Sequence, residues 1–465
     1  FHVEGAMTFE PPPGLMVSVS GIRGRVGEAL DPLVATRYAA AFGTWLRAET
    51  GRAPTVVLGR DSRTSGPLLA RSVTAALEAV GCTVVDVGLA PTPTTLMAVR
   101  HHGADGAIVV TASHNPVEWN ALKLASGAGM FLDADQAAAM RSHVDAPGWQ
   151  RWDGVGHREV DGGAVERHIE AITRLPYLDL DGIRGRGFTV ALDCVRGAGG
   201  VTFPALLEAL GCDVRGIDLE PDGRFPRKPE PVAGNLGELE SLVRETGAAI
   251  GIATDPDGDR LSLVDETGRA IGEDYTLALA TRLVLRHRAG PVVTNLSTSR
   301  VVEDAATEAG APFFRAPVGE INVARRMEAE GAVIGGEGNG GVILPDLHHT
   351  RDAHVAAALV LQLLLETGST VSELVASAPA YAIVKDSVAR PDGPLAPAYD
   401  RLAAELDADV EDRQDGLWLG WPEVGRWLHF RPSGTEPIVR MIAEAPDETQ
   451  ARELVEAARA AMDES

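Results

Sequence analysis

The chain has 465 residues, 45% of them hydrophobic and 23% charged, with a formal net charge of −24. This length exceeds what one hydrophobic core usually serves, so three or four domains are expected. The acidic charge argues against nucleic acid and anionic membranes as partners. Neither a basic, apolar leader nor an apolar run near the ~20 residues of a membrane span occurs, which predicts a cytoplasmic protein.

A strand–helix–strand pattern occurs three times along the chain. In each copy an apolar strand precedes a polar turn, a helix that ends near glycine, and a second strand. The copies cover residues 55–85, 189–214 and 291–314. A later apolar strand follows in each copy and runs into Ser113, Asp255 or Glu337. Because ligands gather beyond the carboxyl ends of strands in open α/β sheets, these three ends are expected to face one cleft.

The C-terminal part follows a different pattern. Strands are predicted at 381–384, 427–431 and 438–443, followed by a closing helix with Asp447 as its N-cap. Leu454, Val455, Ala458 and Met462 form one apolar face of that helix. We therefore predict α/β domains at 1–162, 163–270 and 271–378, and a smaller domain at 379–465.

Ser113 lies at the end of the first of these later strands, in the sequence Thr-Ala-Ser-His-Asn-Pro of residues 111–116. A serine between a buried strand and a proline turn is expected to be rigid and exposed. A nucleophile or phosphoryl carrier needs both properties. An ordinary Asn-Pro turn is the alternative.

The loop after the second strand carries Asp255, Asp257 and Asp259, followed directly by Arg260. Oxygen ligands at this density favour Mg²⁺. Without a cation the three carboxylates would repel one another and their pKa values would rise. An EF-hand does not fit, because the glycine is one residue too early and no bidentate glutamate follows. A haloacid-dehalogenase nucleophile loop and a solvated acidic turn remain weaker alternatives.

The third loop, residues 336–341, places Glu337 and Asn339 among four glycines. A carboxylate beside an amide suits paired contacts with adjacent hydroxyls, and the glycines permit close approach of the backbone. This pattern predicts recognition of a sugar, with a structural glycine-rich turn as the alternative.

A fourth loop, residues 431–437, combines a guanidinium group with hydroxyls and the amides of a tight turn, a set that matches a phosphate dianion. The predicted phosphate ligands are Arg431, Ser433, Gly434 and Thr435. Arg440, on the following strand, either assists them or faces solvent.

In this order and at this spacing the four loops resemble those of the α-D-phosphohexomutase family. That family includes phosphoglucomutase, phosphomannomutase and phosphoglucosamine mutase. The resemblance runs from about Ser20 to Glu444. It implies four domains around one central cleft: three related α/β domains with mixed sheets and a smaller C-terminal α+β domain. It also implies an isomerase, monomeric or homodimeric, that moves phosphate between the 1- and 6-positions of an aldohexose phosphate.

The resemblance also implies roles for individual residues. Ser113 would carry phosphate and, with the three aspartates, hold Mg²⁺, while hexose 1,6-bisphosphate would be both intermediate and activator. Arg260 would contact the phosphoryl group. The remaining catalytic residues would be Lys123 as a general acid or base, Arg23 as a second active-site cation, and His114.

The chain departs from the family pattern at three positions, and the loss of a histidine at Gly341 removes a candidate proton carrier and leaves the sugar unidentified. Many relatives have glycine where this chain has Ala121, and many carry serine in place of Asn339 and histidine in place of Gly341. Glu320 either attracts the 2-ammonium group of glucosamine or lies on the surface. Two other functions stay open: a Mg²⁺-dependent sugar-phosphate phosphatase, and a sugar-phosphate-binding protein without catalysis.

Overall fold

The computed structural model describes residues 9–19, 21–434 and 438–463. These residues form four β-sheets, and each sheet with its helices is treated below as one domain. Of the helices in the described ranges, none combines the length and the apolar character that crossing a membrane requires.

The first domain contains a seven-stranded mixed sheet in the order β1-β2-β6-β5-β3-β4-β7. Its strands are β1 (Met16–Ser18), β2 (Gly21–Arg25), β3 (Thr55–Arg60), β4 (Thr83–Leu89), β5 (Gly106–Val110), β6 (Trp119–Ser126) and β7 (His157–Val160). Its helices are α1 (Pro32–Thr50), α2 (Gly66–Ala79), α3 (Thr92–His102) and α4 (Ala134–Arg141). Phe42 and Leu77 lie in the core on one face of the sheet, whereas Leu96 and Val99 of α3 cover the other.

The second domain has four strands in the order β11-β10-β8-β9. They are β8 (Thr189–Asp193), β9 (Asp213–Ile217), β10 (Ile250–Thr254) and β11 (Leu261–Val264). The helices are α5 (Ala164–Thr173), α6 (Leu180–Arg186), α7 (Phe203–Ala209) and α8 (Gly237–Thr246).

The third domain repeats this arrangement, in the order β13-β12-β14-β15. Its strands are β12 (Val292–Asn295), β13 (Phe313–Ala316), β14 (Ile334–Glu337) and β15 (Gly341–Ile343). Its helices are α9 (Asp274–His287), α10 (Arg300–Glu308), α11 (Glu320–Glu330), α12 (Ala353–Thr367) and α13 (Val371–Ala376). It shares one continuous core with the second domain, in which Phe203 and Leu206 pack with Leu279 and Leu359.

The strand pairing confirms the predicted threefold repeat. In the three domains β5-β3-β4, β10-β8-β9 and β14-β12-β13 are parallel, and β6, β11 and β15 then pair antiparallel with the first strand of each set. The helical crossover in each unit gives the parallel pairing. The three predicted loops therefore leave corresponding strands, β5, β10 and β14, at their carboxyl ends.

The fourth domain is an antiparallel sheet in the order β16-β20-β19-β18-β17. Its elements are β16 (Ala382–Ala389), α14 (Ala396–Leu406), β17 (Val410–Asp412), β18 (Leu417–Trp421), β19 (Arg426–Pro432), β20 (Ile438–Ala445) and α15 (Glu448–Asp463). The three predicted strands are confirmed as β16, β19 and β20, while β17 and β18 were not predicted. Asp447 accepts a hydrogen bond from the Gln450 amide (2.9 Å), as expected of an N-cap.

Candidate active site

Residues 111–116, which carry Ser113 and are called the serine loop below, lie against residues 255–260 of the second domain, which are called the metal loop. The Ser113 hydroxyl donates to Oδ2 of Asp255 (2.8 Å), and the Ser113 amide donates to the Thr111 hydroxyl (3.0 Å). Ser113 has φ +48°, a left-handed conformation that a residue with a side chain adopts only when its surroundings hold it there. The expectation of an exposed serine is wrong: Ser113 is 3% exposed, because the loop 255–260 covers it.

Arg63 holds this serine loop in place. Its fully buried guanidinium group donates to the carbonyl oxygens of Ser113 (2.6 Å), Asn115 (2.6 Å), Pro116 (2.6 Å) and Trp119 (3.0 Å). Its Nε donates to Asp61 (3.0 Å), which balances its charge. Arg63 was not among the residues predicted from the sequence. The polar run Asp-Ser-Arg, which follows the buried strand β3, was the available signal.

The metal loop joins β10 to β11 and buries all three of its aspartates completely. A carboxylate oxygen of each lies within 4.8 Å of the others. Oδ1 of Asp255 accepts the amides of Asp259 (3.2 Å) and Arg260 (3.3 Å), which folds the loop around this carboxylate. Burial, together with the charges of Asp259 and Asp257, raises the pKa of Asp255 well above its ordinary value.

These aspartates fit a divalent cation. Oδ1 of Asp257 and Oδ1 of Asp259 are buried and have no hydrogen-bond partner among the described residues. An unsatisfied buried carboxylate oxygen costs free energy that a cation recovers. Three converging carboxylates supply the hard oxygen ligands that Mg²⁺ prefers.

Lys123 of the first domain lies beside the metal loop. Its Nζ is 2.7 Å from Oδ2 of Asp257 and 3.5 Å from Oδ2 of Asp259. Burial lowers the pKa of a lysine, but these carboxylates outweigh burial, so the pKa of Lys123 lies above its ordinary value. The same ammonium group holds the pKa of Asp257 below its ordinary range, against the effect of burial. Lys123 is therefore a charged donor to the carboxylates of the metal loop.

Arg23, His114 and Arg260 complete the polar surroundings of Ser113. Arg23 donates to Oδ1 of Asn115 (2.5 Å), and Nδ1 of His114 is 3.4 Å from the Ser113 hydroxyl oxygen. Arg260 donates to Glu230 (3.1 Å). The positive charge of Arg260 is the main reason why the pKa of His114 lies well below its ordinary value. The structure thus brings all five predicted catalytic side chains to one place.

The sugar loop, 336–341, is the turn between β14 and β15. Oε1 of Glu337 accepts from Asn295 (2.9 Å) and from the Gly319 amide (3.1 Å), and Oε2 accepts from Arg351 (2.9 Å). Burial would raise the pKa of Glu337, but Arg351 keeps it below its ordinary value. Asn339 is half-buried, and its amide nitrogen donates to Oε2 of Glu337 (3.4 Å).

Glu320 begins helix α11 and is buried, so the surface alternative is wrong. Oε1 accepts from the Arg351 amide (3.0 Å) and from the Thr350 hydroxyl, and Oε2 accepts from Nε of Arg351 (3.0 Å). Both oxygens of Glu320 are therefore occupied by neighbouring donors of the protein.

The fourth loop places Arg431 beside the third domain. Nε of Arg431 donates to Oδ2 of Asp415 (2.7 Å), and the same oxygen accepts the Val318 amide (3.0 Å) of the third domain. Arg440 lies directly opposite Arg431 in the β19–β20 ladder, so the two side chains share one face of the sheet. Ser433 is buried, its amide bonded to the Ile438 carbonyl, and Gly434 is exposed. Thr435 lies outside the described residues.

A second polar cluster, which the sequence analysis missed, surrounds Asp352 behind the metal loop. Its carboxylate bonds to His168 (2.8 Å), His348 (2.9 Å) and His354 (3.0 Å), all buried. The second ring nitrogens bond to Thr94, to the Thr350 amide and to Thr202. Because every ring nitrogen has a partner, this cluster is satisfied without an ion. The histidine-rich run of residues 348–354 was the signal in the sequence.

Comparison with known proteins shows matches along nearly the whole chain. Four domain families described as phosphoglucomutase/phosphomannomutase match in order: α/β/α domain I at 15–151, domain II at 166–268, domain III at 272–381 and the C-terminal domain at 384–461.

Two relatives cover almost the full length. A probable phosphoglucosamine mutase from Methanopyrus kandleri is 38% identical over 95% of this chain and 96% of the relative. A phosphoglucomutase/phosphomannomutase from Thermococcus kodakarensis is 37% identical over 95% and 97%. A crystal structure from Burkholderia thailandensis, of a phosphoglucomutase/phosphomannomutase family protein, is 28% identical, covers 96% of each chain and has a TM-score of 0.83.

Replacing Arg63 tests the support of the serine loop. Arg63→Lys keeps the charge beside Asp61 but cannot donate to four carbonyl oxygens, so the loop should lose its fixed conformation. We expect phosphorylation of Ser113 and turnover to fall by about tenfold or more, because misplaced reacting groups are costly. Arg71→Lys, on the exposed side of α2, is the matched control. If Ser113 of Arg63→Lys were phosphorylated to the same extent as in the wild type, this role of Arg63 would be contradicted.

The metal loop yields a prediction that needs no substrate. In chelator, Asp255→Asn should unfold at or above the wild-type temperature because it relieves repulsion, whereas Asp257→Asn should unfold earlier because Lys123 loses its partner. Saturating Mg²⁺ should raise the unfolding temperature of the wild type by a few degrees, which corresponds to about 3 kcal/mol at a hundred times the Kd. Both variants should lose that rise in thermal melts. A wild type that is indifferent to Mg²⁺ would contradict the metal assignment.

Proposed function

The chain belongs to the phosphoglucomutase/phosphomannomutase family, and we propose that it interconverts the 1- and 6-phosphates of an aldohexose. The reaction would pass through a phosphoserine at residue 113 and a hexose 1,6-bisphosphate. The observation that carries this proposal is the Ser113 hydroxyl, 2.8 Å from Asp255, in a strained loop beside a buried triad of aspartates.

Phosphoryl transfer from Ser113 exchanges one P–O bond for another. The bond between phosphorus and the serine oxygen breaks, and a bond to a sugar hydroxyl oxygen forms. The proton of that hydroxyl leaves, and the serine oxygen gains a proton. His114, 3.4 Å from the serine oxygen, is positioned to relay this proton rather than to retain it, because the charge of Arg260 holds the pKa of His114 well below its ordinary value. In the second half, the phosphate at the other end of the bisphosphate returns to Ser113, so no phosphate is consumed.

Charge balance is the main task of the surrounding residues. Asp255, Asp257 and Asp259, with a phosphate oxygen on Ser113, would hold Mg²⁺, which when bound neutralises charge on the transferring group. Lys123 and Arg260 extend this positive field from two domains. Fixed cations in a site that excludes water stabilise developing charge far better than solvent does.

The loop 431–434 would bind the phosphate that is not reacting. Arg431 and Arg440 share one face of the sheet, and two adjacent guanidinium groups are favourable when an anion lies between them. Asp415 orients Arg431 by accepting its hydrogen bond, and a phosphate dianion would replace Asp415 as the partner of Arg431. This second phosphate-binding site would keep the bisphosphate bound while the bisphosphate reverses its orientation in the cleft.

Two observations favour a mutase over a phosphatase. Ser113 is 3% exposed and the three aspartates are fully buried, so water has little access to the phosphoryl group. A separate phosphate-binding loop also serves to retain an intermediate, which hydrolysis does not need. A binding protein without catalysis would not need a serine, a metal triad and Lys123 in contact.

The phosphoserine assignment is tested with Ser113→Ala. This variant should fold normally, carry no phosphate by intact-mass analysis, and lose mutase activity by about a thousandfold or more, since the substitution removes the proposed nucleophile. Release of inorganic phosphate during wild-type turnover should stay far below product formation. Near-wild-type activity of Ser113→Ala would refute the mechanism, and stoichiometric phosphate release would instead indicate a phosphatase.

Substrate preference follows from the sugar loop. Glu337 and Asn339 are proposed to contact the hydroxyls at C3 and C4, which glucose, mannose and glucosamine share. Glu320, which could have favoured an ammonium at C2, is instead bonded to Arg351 and Thr350. A site without a polar group committed to C2 discriminates weakly between these sugars.

We therefore expect overlapping activity on the 1-phosphates of glucose, mannose and glucosamine. Values of kcat/KM, measured with the matching bisphosphate as activator, should lie within about a thousandfold of one another. A preference above that limit would reveal a group that recognises C2 and that has not been identified.

A further inference from the structure

Arg351 lies where the metal loop, the sugar loop and helix α11 meet. Its buried guanidinium group donates to Oδ2 of Asp259 (2.7 Å) and to Oε2 of Glu337 (2.9 Å). Its Nε donates to Oε2 of Glu320 (3.0 Å), and Nη1 is 3.3 Å from Oδ1 of Asn339. One rigid, planar group thus contacts acceptors from both functional loops.

Gly341 provides the space that Arg351 occupies. A Cβ atom at residue 341 would lie 2.2 Å from Cδ and 2.9 Å from Cγ of Arg351, and 3.2 Å from Oδ1 of Asn339. The backbone of Gly341 does not have a positive φ, so the neighbouring side chain is what excludes a larger residue. A side chain at 341 and the present position of Arg351 are therefore mutually exclusive.

Glu320 fixes the orientation of Arg351. It bonds to both the side chain and the backbone amide of Arg351, and to the Thr350 hydroxyl. The guanidinium plane therefore has little freedom to rotate. Since its other two nitrogens donate to Asp259 and Glu337, the separation of these two carboxylates is set by the size of one guanidinium group.

We propose that Arg351 is a positioning residue that fixes the sugar loop relative to the metal loop, and that the absence of a side chain at Gly341 is what permits it. The proposal rests on the function proposed above, since it assigns Glu337 to the sugar and Asp259 to the metal. Arg351 would thereby couple the position of the metal ligand Asp259 to the position of the sugar ligand Glu337, which neither loop does alone.

The first test replaces the guanidinium group of Arg351 with a group of the same charge. Arg351→Lys should remain folded, but its single ammonium cannot bridge Asp259, Glu337 and Glu320 together. We expect kcat/KM to fall by about tenfold or more, and the rise in unfolding temperature caused by Mg²⁺ to shrink. Arg282→Lys is the matched control, because Arg282 of the third domain donates to the Leu374 carbonyl and to Ser377 instead. Its values should stay within about twofold of wild type.

A double-mutant cycle tests the exclusion between the two positions. Gly341→Ala should lower kcat/KM by about tenfold in the wild type, but by less than about twofold in an Arg351→Ala background, where the added methyl has room. Equal losses in both backgrounds would overturn the proposal. If Arg351→Ala does not fold, Glu320→Gln replaces it, because weaker retention of Arg351 should lessen the cost of Gly341→Ala.

The two proposals can fail separately. A wild-type protein without mutase activity would refute the proposed function, while the thermal response of Arg351→Lys to Mg²⁺ would still report on Arg351. An active wild type, combined with wild-type kcat/KM and a wild-type Mg²⁺ response in Arg351→Lys, would refute the role of Arg351 alone.

Discussion

The site depends on balancing buried negative charge. Removing an ionised carboxylate from water costs several kcal/mol unless a cation or hydrogen bonds compensate. Five buried carboxylates lie here, those of Asp255, Asp257, Asp259, Glu320 and Glu337. Asp257 and Asp259 of the second domain are paired with cations of other domains, Lys123 of the first and Arg351 of the third. Glu320 and Glu337 are paired with Arg351 within the third domain. The charges of these two aspartates are therefore balanced only when the three domains have docked, so docking of the domains also assembles this part of the site.

The serine loop shows how backbone strain is maintained. A positive φ at a residue with a side chain costs on the order of 1–3 kcal/mol and persists only where the surroundings over-determine it. Arg63 provides this constraint by binding the carbonyl oxygens of Ser113 and its neighbours, and Asp61 holds Arg63 in turn. The serine hydroxyl is thereby fixed toward Asp255, which would reduce the reorganisation that the proposed phosphoryl transfer requires.

Local patterns in the sequence were sufficient for much of this structure. The repeat was visible because strand, turn, helix and glycine recur in order, and the loops were visible because polar groups follow apolar strands at Ser113, Asp255 and Glu337. The contacts of Arg63 with Ser113 and of Arg351 with Asp259 could not be predicted, since these partners lie 50 and 92 residues away in the sequence, and the second contact also depends on how domains dock. For the same reason Glu320 could not be assigned to the interior, nor Ser113 recognised as covered by another domain.

The acidic surface restricts how the protein can recognise an anionic sugar phosphate. The chain carries 66 acidic residues against 42 lysines and arginines, so its distant field repels a phosphate dianion. At physiological ionic strength charges separated by more than about 8 Å are largely screened. Capture must therefore depend on short-range contacts with cations already held in place, such as Arg431 beside Asp415 and Arg260 beside Glu230. Each of these carboxylates orients its arginine, and each is a partner that the stronger charge of a phosphate can replace. A phosphate would thus be recognised by short-range contacts with arginines whose positions are fixed, and not by long-range electrostatic attraction.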